Sequence, residues 1–347
     1  MVPLARPVGI TGMGSALPDN VLTNADLERR LDTTDEWIRT RTGICERRIA
    51  AATTATSDLA TAAARAALAD AGVEAADLDL IIVATVTPDY SFPSTACLVQ
   101  ANLGAARAVC FDIEAACTGF IYALSIAAHM IAAGTYRTAL VIGAEVLSRI
   151  TNYADRSTCI LFGDGAGAAV LQPVAEGGIL GLRLGANGSD GHLLKLPAGG
   201  SRLPASAETV AQGLHYLQMA GSEVFKFAVR VMGEVADELL QECGFGAQDL
   251  ALLVPHQANL RIVEAAIKRL GIAPERVMIN LDRYGNMSSA SIPVALEEAY
   301  RSGRLDKGDL VLLVGFGGGL TWGGAMIRWN RPRCAEGALT NVANTNL

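Results

Sequence analysis

The stretch VCFDIEAACTGFIYALSIAAHMIAAG, residues 109–134, sets the pattern that the rest of the chain repeats. It begins with a short apolar run typical of a buried β-strand and continues into a long apolar segment of helical length. Cys117 lies between the two, at the start of the predicted helix. The partial positive charge of the unpaired N–H groups at a helix N-terminus favours a thiolate over a thiol. The segment therefore predicts a strand–turn–helix unit that presents a nucleophilic cysteine.

Strand-like runs alternate with helical segments along the whole chain, the pattern of a parallel sheet covered by helices. The first half contains the runs IIVATVT (81–87), VCFDI (109–113), TALVIGAEV (138–146) and GAAVL (167–171). The second half contains LALLVPH (250–256), VMINL (277–281), DLVLLVGFG (309–317) and AMIRW (325–329). In each half the last run follows a Gly-rich segment, so the halves resemble two copies of one unit. Residues 186–216, rich in Gly, Ser and Pro, are predicted to form a loop-like excursion between them.

Composition narrows the class of protein. A chain of 347 residues that is 51% hydrophobic can bury a large core, as two ordinary domains or one fused unit. Its seven cysteines are scattered without a CxxC pair, which argues against a disulfide framework or a zinc site and favours a reduced, cytoplasmic compartment. The net charge of −7 argues against a nucleic-acid-binding protein. No apolar run has the length of a membrane span, and no signal peptide is predicted.

The internal repeat places two more polar residues where they can face Cys117. His256 ends the first run of the second half, and Asn286 follows the second run in NLDRYGNMSSASIP (280–293). Functional groups gather beyond the carboxyl ends of parallel strands, so the three side chains are expected to share a cleft. A thiolate can accept an acyl group from a thioester. A neutral histidine N–H and an asparagine amide can then stabilise the enolate that a malonyl thioester forms when it loses CO₂.

Each of these residues also has a structural interpretation. A cysteine in an apolar segment is commonly a small core residue, as predicted for Cys110, and for Cys117 both interpretations stay open on local grounds. His256 follows a buried-strand pattern, and the Gly-Asn pair ending at Asn286 is ordinary turn chemistry. The segment GDGAGAAVL (163–171) lacks both the GxGxxG spacing and a Walker lysine, which favours close strand packing over phosphate binding.

Eight segments together resemble β-ketoacyl-acyl carrier protein synthase III, the condensing enzyme of the thiolase superfamily that initiates bacterial type II fatty acid synthesis. They follow the family's order over roughly residues 8–329: TNADLERRLDTTDEWIRTRTGICERRIA (23–50), SFPSTACLVQ (91–100), FDIEAACTGF (111–120), FGDGAGAAVLQ (162–172), MAGSEVFKFAV (219–229), VPHQANLRI (254–262), LDRYGNMSSASIP (281–293) and FGGGLTWGGA (316–325). The resemblance implies a thiolase-like α/β fold, with two pseudo-repeated βαβαβαββ halves in five layers, α-β-α-β-α. The implied halves are residues 1–173 and 174–330, followed by a polar tail at 331–347 to which no function is assigned.

The resemblance also assigns roles to individual residues. Cys117 is the implied nucleophile, His256 and Asn286 are the implied decarboxylation pair, and the backbone N–H groups of Cys117 and Gly318 are the implied oxyanion hole. The residues implied to bind coenzyme A are Trp37, Arg41, Arg156, Phe225 and Asn259. Within that set, Trp37 and Arg156 are expected to stack around the adenine, a use that suits an aromatic ring and a guanidinium plane.

The remaining implied residues concern the acyl pocket and a partner protein. Phe92 is expected to reach across a homodimer and close the neighbour's acyl pocket, and Met287, where a Thr is common, bears on the size of that pocket. An acidic acyl carrier protein is expected to dock on a basic rim, since opposite charges steer such a partner. The implied docking residues are Lys226, Gln257, Arg261, Lys268 and Arg269. The alternative for these charges is a solvated helix face.

The resemblance thus implies a cytoplasmic, homodimeric acyltransferase that needs no metal or cofactor beyond its coenzyme A thioester substrate and binds neither nucleic acid nor membrane. It would condense an acetyl-CoA-like primer with malonyl-acyl carrier protein. The nearest alternative is a related condensing enzyme or acyltransferase of secondary metabolism, of polyketide or quinolone type. A degradative thiolase is disfavoured because no second cysteine lies in a C-terminal glycine motif. An inactive scaffold subunit is disfavoured because Cys117, His256 and Asn286 are all present.

Overall fold

The computed structural model describes residues 4–334, so residues 335–347 of the predicted tail lie outside the described residues. The strands are β1 Val8–Ala16, β2 Val21–Thr23, β3 Glu46–Arg48, β4 Leu80–Ala84, β5 Val109–Ile113, β6 Ala139–Val146, β7 Asp164–Pro173, β8 Gly178–Ala186, β9 Leu194–Lys195, β10 Gln218–Met219, β11 Leu252–Pro255, β12 Leu310–Gly317 and β13 Thr321–Arg328. The α-helices are α1 Asn24–Glu28, α2 Asp35–Thr42, α3 Thr56–Ala71, α4 Thr95–Leu103, α5 Gly119–Ala132, α6 Ala207–Ala211, α7 Gly221–Cys243, α8 Leu260–Leu270, α9 Leu281–Tyr284 and α10 Ser291–Arg301. Two short 3₁₀-helices, Ala116–Thr118 and Ser288–Ala290, precede α5 and α10.

Two large sheets repeat one strand order. The first is ordered β1-β7-β6-β4-β5, and the second is ordered β8-β13-β12-β11. In the first sheet β4 runs parallel to β5 and β6, whereas β7 is antiparallel to β6 and β1. In the second sheet β11 is parallel to β12, and β13 is antiparallel to both β12 and β8. The two-copy pattern predicted from the sequence is therefore present, but both sheets are mixed rather than purely parallel.

One predicted strand does not form. VMINL (277–281) makes only a single parallel bridge, between Leu253 and Val277. The buried side-chain amide of Gln257 takes the place of further strand pairing, because its Nε2 donates to Met278 O at 3.1 Å and its Oε1 accepts from Asn280 N at 3.0 Å. With its backbone groups satisfied by a side chain, the segment has no need of the full ladder.

Helices and sheets alternate in five layers. Helices α3 and α4 pack on the outer face of the first sheet, and α7 packs on the second sheet with α8 against it. Helices α5 and α10 lie between the two sheets and join them in one hydrophobic core. The sequence explains this placement, because α5 is apolar on nearly every side, as a helix covered on both faces must be. Within residues 4–334, no helix is long and apolar enough to cross a bilayer.

Candidate active site

Cys117 lies in the 3₁₀ turn Ala116–Thr118, which joins β5 to α5. The turn is sharp because Ala116 adopts a left-handed conformation with a φ of 45°. A left-handed conformation at a residue other than glycine costs on the order of 1–3 kcal/mol and persists only where the surroundings enforce it. Thr118 helps to do so, since its Oγ1 donates to Ala115 O at 2.7 Å. The strand–turn–helix unit predicted from residues 109–134 is confirmed.

The repeat produces a matching turn in the second half. The 3₁₀ turn Ser288–Ala290 leads into α10, and Ser288 is left-handed with a φ of 46°. The two turns pack against each other between the sheets. In this correspondence Ser289 is the counterpart of Cys117, and Asn286 lies just before the second turn. Pseudo-symmetry therefore brings Asn286 beside the turn that carries Cys117.

The end of β12 packs against both Cys117 and His256. A Cβ built on Gly317 would lie 2.6 Å from Cys117 N, and one built on Gly315 would lie 3.6 Å from the Cβ of His256. His256 follows β11 directly, and its backbone N donates to Val314 O at 2.8 Å. The structure thus brings together Cys117, His256 and Asn286, the three residues that the sequence placed beyond the ends of strands.

Burial dominates the electrostatics of Cys117. Its removal from water raises the pKa of the thiol to about 12, the nearby Glu145 carboxyl raises it further, and the Ser288 side chain lowers it. The expectation that a helix N-terminus keeps this cysteine as a thiolate is therefore wrong. The partial charge at the helix end is outweighed by the cost of burying an anion, so Cys117 rests as a thiol.

His256 is buried and neutral. Burial lowers the pKa of its imidazole from 6.5 to about 3. Within residues 4–334 neither ring nitrogen has a hydrogen-bond partner, and the ring edge packs on Phe316 with centroids 5.6 Å apart. An unpaired buried donor is costly unless a ligand uses it. The ring therefore holds a free N–H in the site without carrying a positive charge.

Asn286 is fixed by its backbone and by one side of its amide. Its N donates to Leu161 O at 2.8 Å, and its O accepts from Gly163 N at 3.0 Å, which ties it to the first half of the chain. Its side-chain Oδ1 accepts from Ser288 N at 2.8 Å. This bond sets the amide orientation and leaves Nδ2, which makes no hydrogen bond to any described residue, free to donate.

The loop at Gly318 is tied to the Cys117 turn. Thr321 Oγ1 lies 2.7 Å from Thr118 Oγ1, 3.0 Å from Ala115 O and 3.1 Å from Gly318 O. One hydroxyl thus connects the turn before α5 with the hairpin between β12 and β13. This connection keeps the backbone of Gly318 close to Cys117, as an oxyanion hole built from both would need.

Trp37, Arg41 and Arg156 form a cluster at the surface. The guanidinium carbons of Arg41 and Arg156 lie 5.4 Å and 5.2 Å from the Trp37 ring centroid. Arg156 comes from a distant segment, so only the fold creates this cluster. Asn259 caps α8 through Arg261 N and donates its Nδ2 to Arg41 O at 3.0 Å. Phe225 lies beneath the guanidinium of Arg261, 5.4 Å away.

Two predicted contacts are corrected by burial. Gln257, expected on the docking surface, is fully buried. Its side-chain amide forms hydrogen bonds with Pro255 O, Met278 O and Asn280 N. Met287, expected to line the acyl pocket, also has no accessible surface and packs with Leu17, Tyr284, Ala290 and Val294. Neither side chain presents a surface to a ligand in this structure.

The basic rim is otherwise exposed. Lys226, Arg261 and Lys268 are all accessible at the surface. Arg269 is accessible as well, but its Nη2 forms an ion pair with Asp237 at 3.2 Å, so part of its charge is already compensated. Among the described residues, three of these cations have no ion-pair partner and one is paired.

The sequence reasoning missed Glu145 and the two serines of the second turn. Glu145 lies in the apolar run TALVIGAEV yet has no exposed surface. A carboxyl in such a run was the available signal, because charged residues are rarely fully buried without partners.

Within residues 4–334, no group of three or more His, Cys, Asp or Glu side chains is arranged to hold a metal ion.

Comparisons with known proteins agree with this geometry. Residues 111–188 match the family model described as 3-oxoacyl-[acyl-carrier-protein (ACP)] synthase III, and residues 240–329 match the model of its C-terminal part. The β-ketoacyl-[acyl-carrier-protein] synthase III of Desulfitobacterium hafniense is 62% identical over 93% of this chain and 98% of its own length.

Solved structures give the same result. The crystal structure of 3-oxoacyl-[acyl-carrier-protein] synthase III from Aquifex aeolicus is 49% identical, with a TM-score of 0.86 over 93% of this chain and 100% of that chain. The priming β-ketosynthase of the R1128 polyketide pathway is 38% identical, with a TM-score of 0.88 over 96% of this chain and 99% of that chain. The thiolase-like fold is confirmed, and this chain belongs to the β-ketoacyl-[acyl-carrier-protein] synthase III family.

Proposed function

We propose that this protein condenses an acyl-CoA primer with malonyl-acyl carrier protein, with loss of CO₂, and so initiates fatty acid biosynthesis. The observation that carries the proposal is a buried, neutral His256 whose ring nitrogens have no hydrogen-bond partner among the described residues, in the same site as Cys117 and the Asn286 amide donor. Two neutral donors beside a thiol suit a reaction in which negative charge develops on a thioester oxygen.

In the first step Cys117 Sγ attacks the thioester carbon of the primer. The C–S bond to coenzyme A breaks, and the thiol proton leaves with the coenzyme A thiol, so the products are acyl-Cys117 and free coenzyme A. The backbone N–H groups of Cys117 and Gly318 are proposed to hold the tetrahedral oxyanion. The anchoring of Gly318 O through Thr321 supports this role.

In the second step the malonyl thioester places its carbonyl oxygen between the His256 N–H and Asn286 Nδ2. Loss of CO₂ leaves an enolate that these donors stabilise, and its carbon attacks acyl-Cys117. The new C–C bond forms as the C–S bond to Cys117 breaks, and the thiolate then takes up one proton. No general base is needed, because decarboxylation itself generates the carbanion. The reaction as proposed uses no cofactor other than the coenzyme A thioester.

The surface residues fit the two substrates. The Trp37–Arg156 pair is proposed to hold the adenine, with Arg41 near the coenzyme A phosphates and Phe225 along the pantetheine arm. The exposed cations Lys226, Arg261 and Lys268 are proposed to steer the acidic acyl carrier protein. Opposite charges at the rim of an interface act mainly on the association rate.

A homodimer is also part of the proposal. Phe92 is 86% exposed in the single chain, and the edge strand β5 leaves the apolar Val109 exposed. An apolar edge strand is usually covered, because it otherwise pairs with other chains. A second copy that covers β5 would shield both residues. The seven cysteines are free, which together with these substrates supports a cytoplasmic location.

The test is condensation with defined substrates. Purified protein is incubated with malonyl-acyl carrier protein and a series of acyl-CoA primers, and the β-ketoacyl product and released CO₂ are measured. We expect product with at least one primer and none from Cys117→Ala. Failure with every primer, or unchanged turnover in Cys117→Ala, would refute the proposal.

A second candidate function is priming of a polyketide pathway. The structural similarity to the R1128 priming β-ketosynthase favours it. Running the primer series with a fatty acid carrier protein and, in parallel, with a polyketide carrier protein separates the two. A strong preference for the polyketide carrier would favour the second function.

A further inference from the structure

Glu145 is a fully buried carboxyl at the end of β6. Its Oε2 accepts from Thr87 Oγ1 at 2.7 Å and from Val86 N at 3.1 Å, both just past the end of β4. Its Oε1 lies 2.9 Å from Ser289 Oγ. The carboxyl therefore links three elements: the end of β4, the end of β6 and the second-half turn that corresponds to the Cys117 turn.

The hydrogen atoms in this cluster can be counted. Ser289 Oγ lies 2.8 Å from Ala84 O as well as 2.9 Å from Glu145 Oε1, and a serine hydroxyl carries one hydrogen. Ala84 O is an acceptor. If Glu145 were ionised, one of the two oxygen pairs would face each other without a hydrogen. If Oε1 carries a proton, Glu145 donates to Ser289 and Ser289 donates to Ala84 O, so both contacts are satisfied.

The surroundings favour the protonated form. Burial raises the pKa of Glu145 to about 7, against the opposing effect of the hydrogen bonds that Thr87, Ser289, Val86 and Ser288 can donate to its ionised form. The Glu145 charge acts on Cys117, whose pKa it raises. Within residues 4–334, no lysine, arginine or histidine forms an ion pair or a hydrogen bond with Glu145.

Ser289 belongs to the turn that orients the Asn286 amide, and this turn connects the cluster to the proposed reaction. Ser288, directly before it, is left-handed and donates its N–H to Asn286 Oδ1. A Cβ built on Gly143 would lie 2.2 Å from Ser289 O, which shows how closely this turn sits on β6. A turn with such a backbone needs an anchor, and the Glu145–Ser289–Ala84 chain supplies one.

We propose that Glu145 is a positioning residue that works as a neutral carboxylic acid, donating to Ser289 and thereby holding the turn that orients the Asn286 amide. When Glu145 ionises, Ser289 loses one of its two bonds and a negative charge appears next to Cys117. Both effects lower the rate of condensation. The catalytic part of this inference rests on the proposed function, whereas the protonation state of Glu145 does not.

Glu145→Gln and Glu145→Ala separate the possibilities. Glutamine can donate from Nε2 to Ser289 and accept from Thr87, so we expect it to keep kcat within a few-fold and to abolish the loss of rate as pH rises above about 7. Alanine removes the anchor, and we expect malonyl-acyl carrier protein decarboxylation to fall about tenfold or more, with the KM for acyl-CoA unchanged.

The effect should pass through Ser289. Ser289→Ala combined with Glu145→Ala is expected to cost little more than either change alone, as for residues that act through one contact. A Gln variant as impaired as the Ala variant, or an unaltered pH profile in the Gln variant, would overturn the proposal. So would fully additive losses in the double variant.

Infrared spectroscopy tests the proton without any substrate. The difference between wild type and Glu145→Gln at about pH 6 should contain the carbonyl stretch of a protonated carboxyl group. Asp164→Asn is the matched control: burial raises the pKa of this carboxyl as well, but its hydrogen-bond partners within residues 4–334 are the donors Ala50 N, Ser148 N and Ser148 Oγ, so its contacts require no proton. Absence of the band in the Glu145 difference overturns the proposal even if condensation occurs. If the band is present but no primer is condensed, the proposed function fails by itself.

Discussion

Replacing Gly317 by alanine should slow acyl transfer to Cys117 roughly 10²–10³-fold while leaving coenzyme A binding intact. The added Cβ would lie 2.6 Å from Cys117 N and 3.1 Å from Cys117 Cβ. Carbon contacts are favourable at about 3.5–4.0 Å, so the new methyl group intrudes by about 1 Å. The atoms it meets belong to the backbone of the Cys117 turn and to the start of its side chain, and they cannot swing aside as the end of a flexible side chain would.

The expected loss of rate follows from the position of the added methyl group beside the Cys117 N–H. The methyl group displaces or covers the N–H of Cys117, a proposed oxyanion donor, and losing one such donor costs about 2.7–4 kcal/mol, or roughly 10²–10³ in rate. Overpacking should also reduce stability by about 1–3 kcal/mol. The assay is the initial rate of acyl-Cys117 formation from radiolabelled acyl-CoA, with thermal unfolding of the same preparation to confirm that the protein is folded.

Gly318→Ala is the matched control. A Cβ on Gly318 meets its nearest atom, Ala116 Cβ, at 3.5 Å, an ordinary contact, and the backbone N–H is retained. We expect that variant to acylate at close to the wild-type rate. Normal acylation in folded Gly317→Ala would refute the reasoning, as would equal losses in the two variants.

Three further predictions test the histidine, the coenzyme A cluster and the basic rim. Because the pKa of His256 is about 3 when folded and 6.5 when unfolded, the unfolded chain binds the extra proton between these values. Stability therefore falls as pH drops below about 6.5. Between pH 7 and 5, the free energy of unfolding in urea should fall by about 2 kcal/mol more for wild type than for His256→Gln. Equal losses in the two proteins would contradict a neutral buried His256. Trp37→Ala should raise the KM for acyl-CoA about two- to fivefold at constant kcat, and a changed kcat with constant KM would count against the coenzyme A assignment. Lys268→Gln should lower kcat/KM for malonyl-acyl carrier protein in a salt-dependent way, and by more than Arg269→Gln, because the Arg269 cation is paired with Asp237. The reverse order would remove Lys268 from the docking surface.

The sequence allowed much of the fold to be predicted because its signals are local. The strand–turn–helix unit around Cys117 could be predicted from an apolar run, a turn and an all-round apolar helix. The repeat could be predicted because its members recur in the same order. VMINL failed as a strand because its apolar pattern does not show that Gln257, more than twenty residues earlier in the chain, satisfies its backbone groups.

Part of the site could also be predicted, because some of its signals are local in the sequence. Cys117, His256 and Asn286 each follow a strand-like run, so the position of each could be inferred from the chain. Gln257 and Met287 were misplaced because exposure depends on what packs against a side chain. The expected thiolate at Cys117 was wrong because the helix terminus is visible in the sequence, whereas the depth of burial that raises the pKa is not.

The sequence by itself determined which residue types stand at the ends of which strands, because periodicity and turn chemistry act over a few residues. Only the tertiary structure decided that the two pseudo-equivalent turns meet between the sheets, with Gly317 against Cys117 and Glu145 against Ser289. Burial, hydrogen-bond counts and close backbone contacts are properties of segments far apart in the chain. They follow from the packing of the two halves and set the ionisation and orientation of the residues on which the chemistry depends.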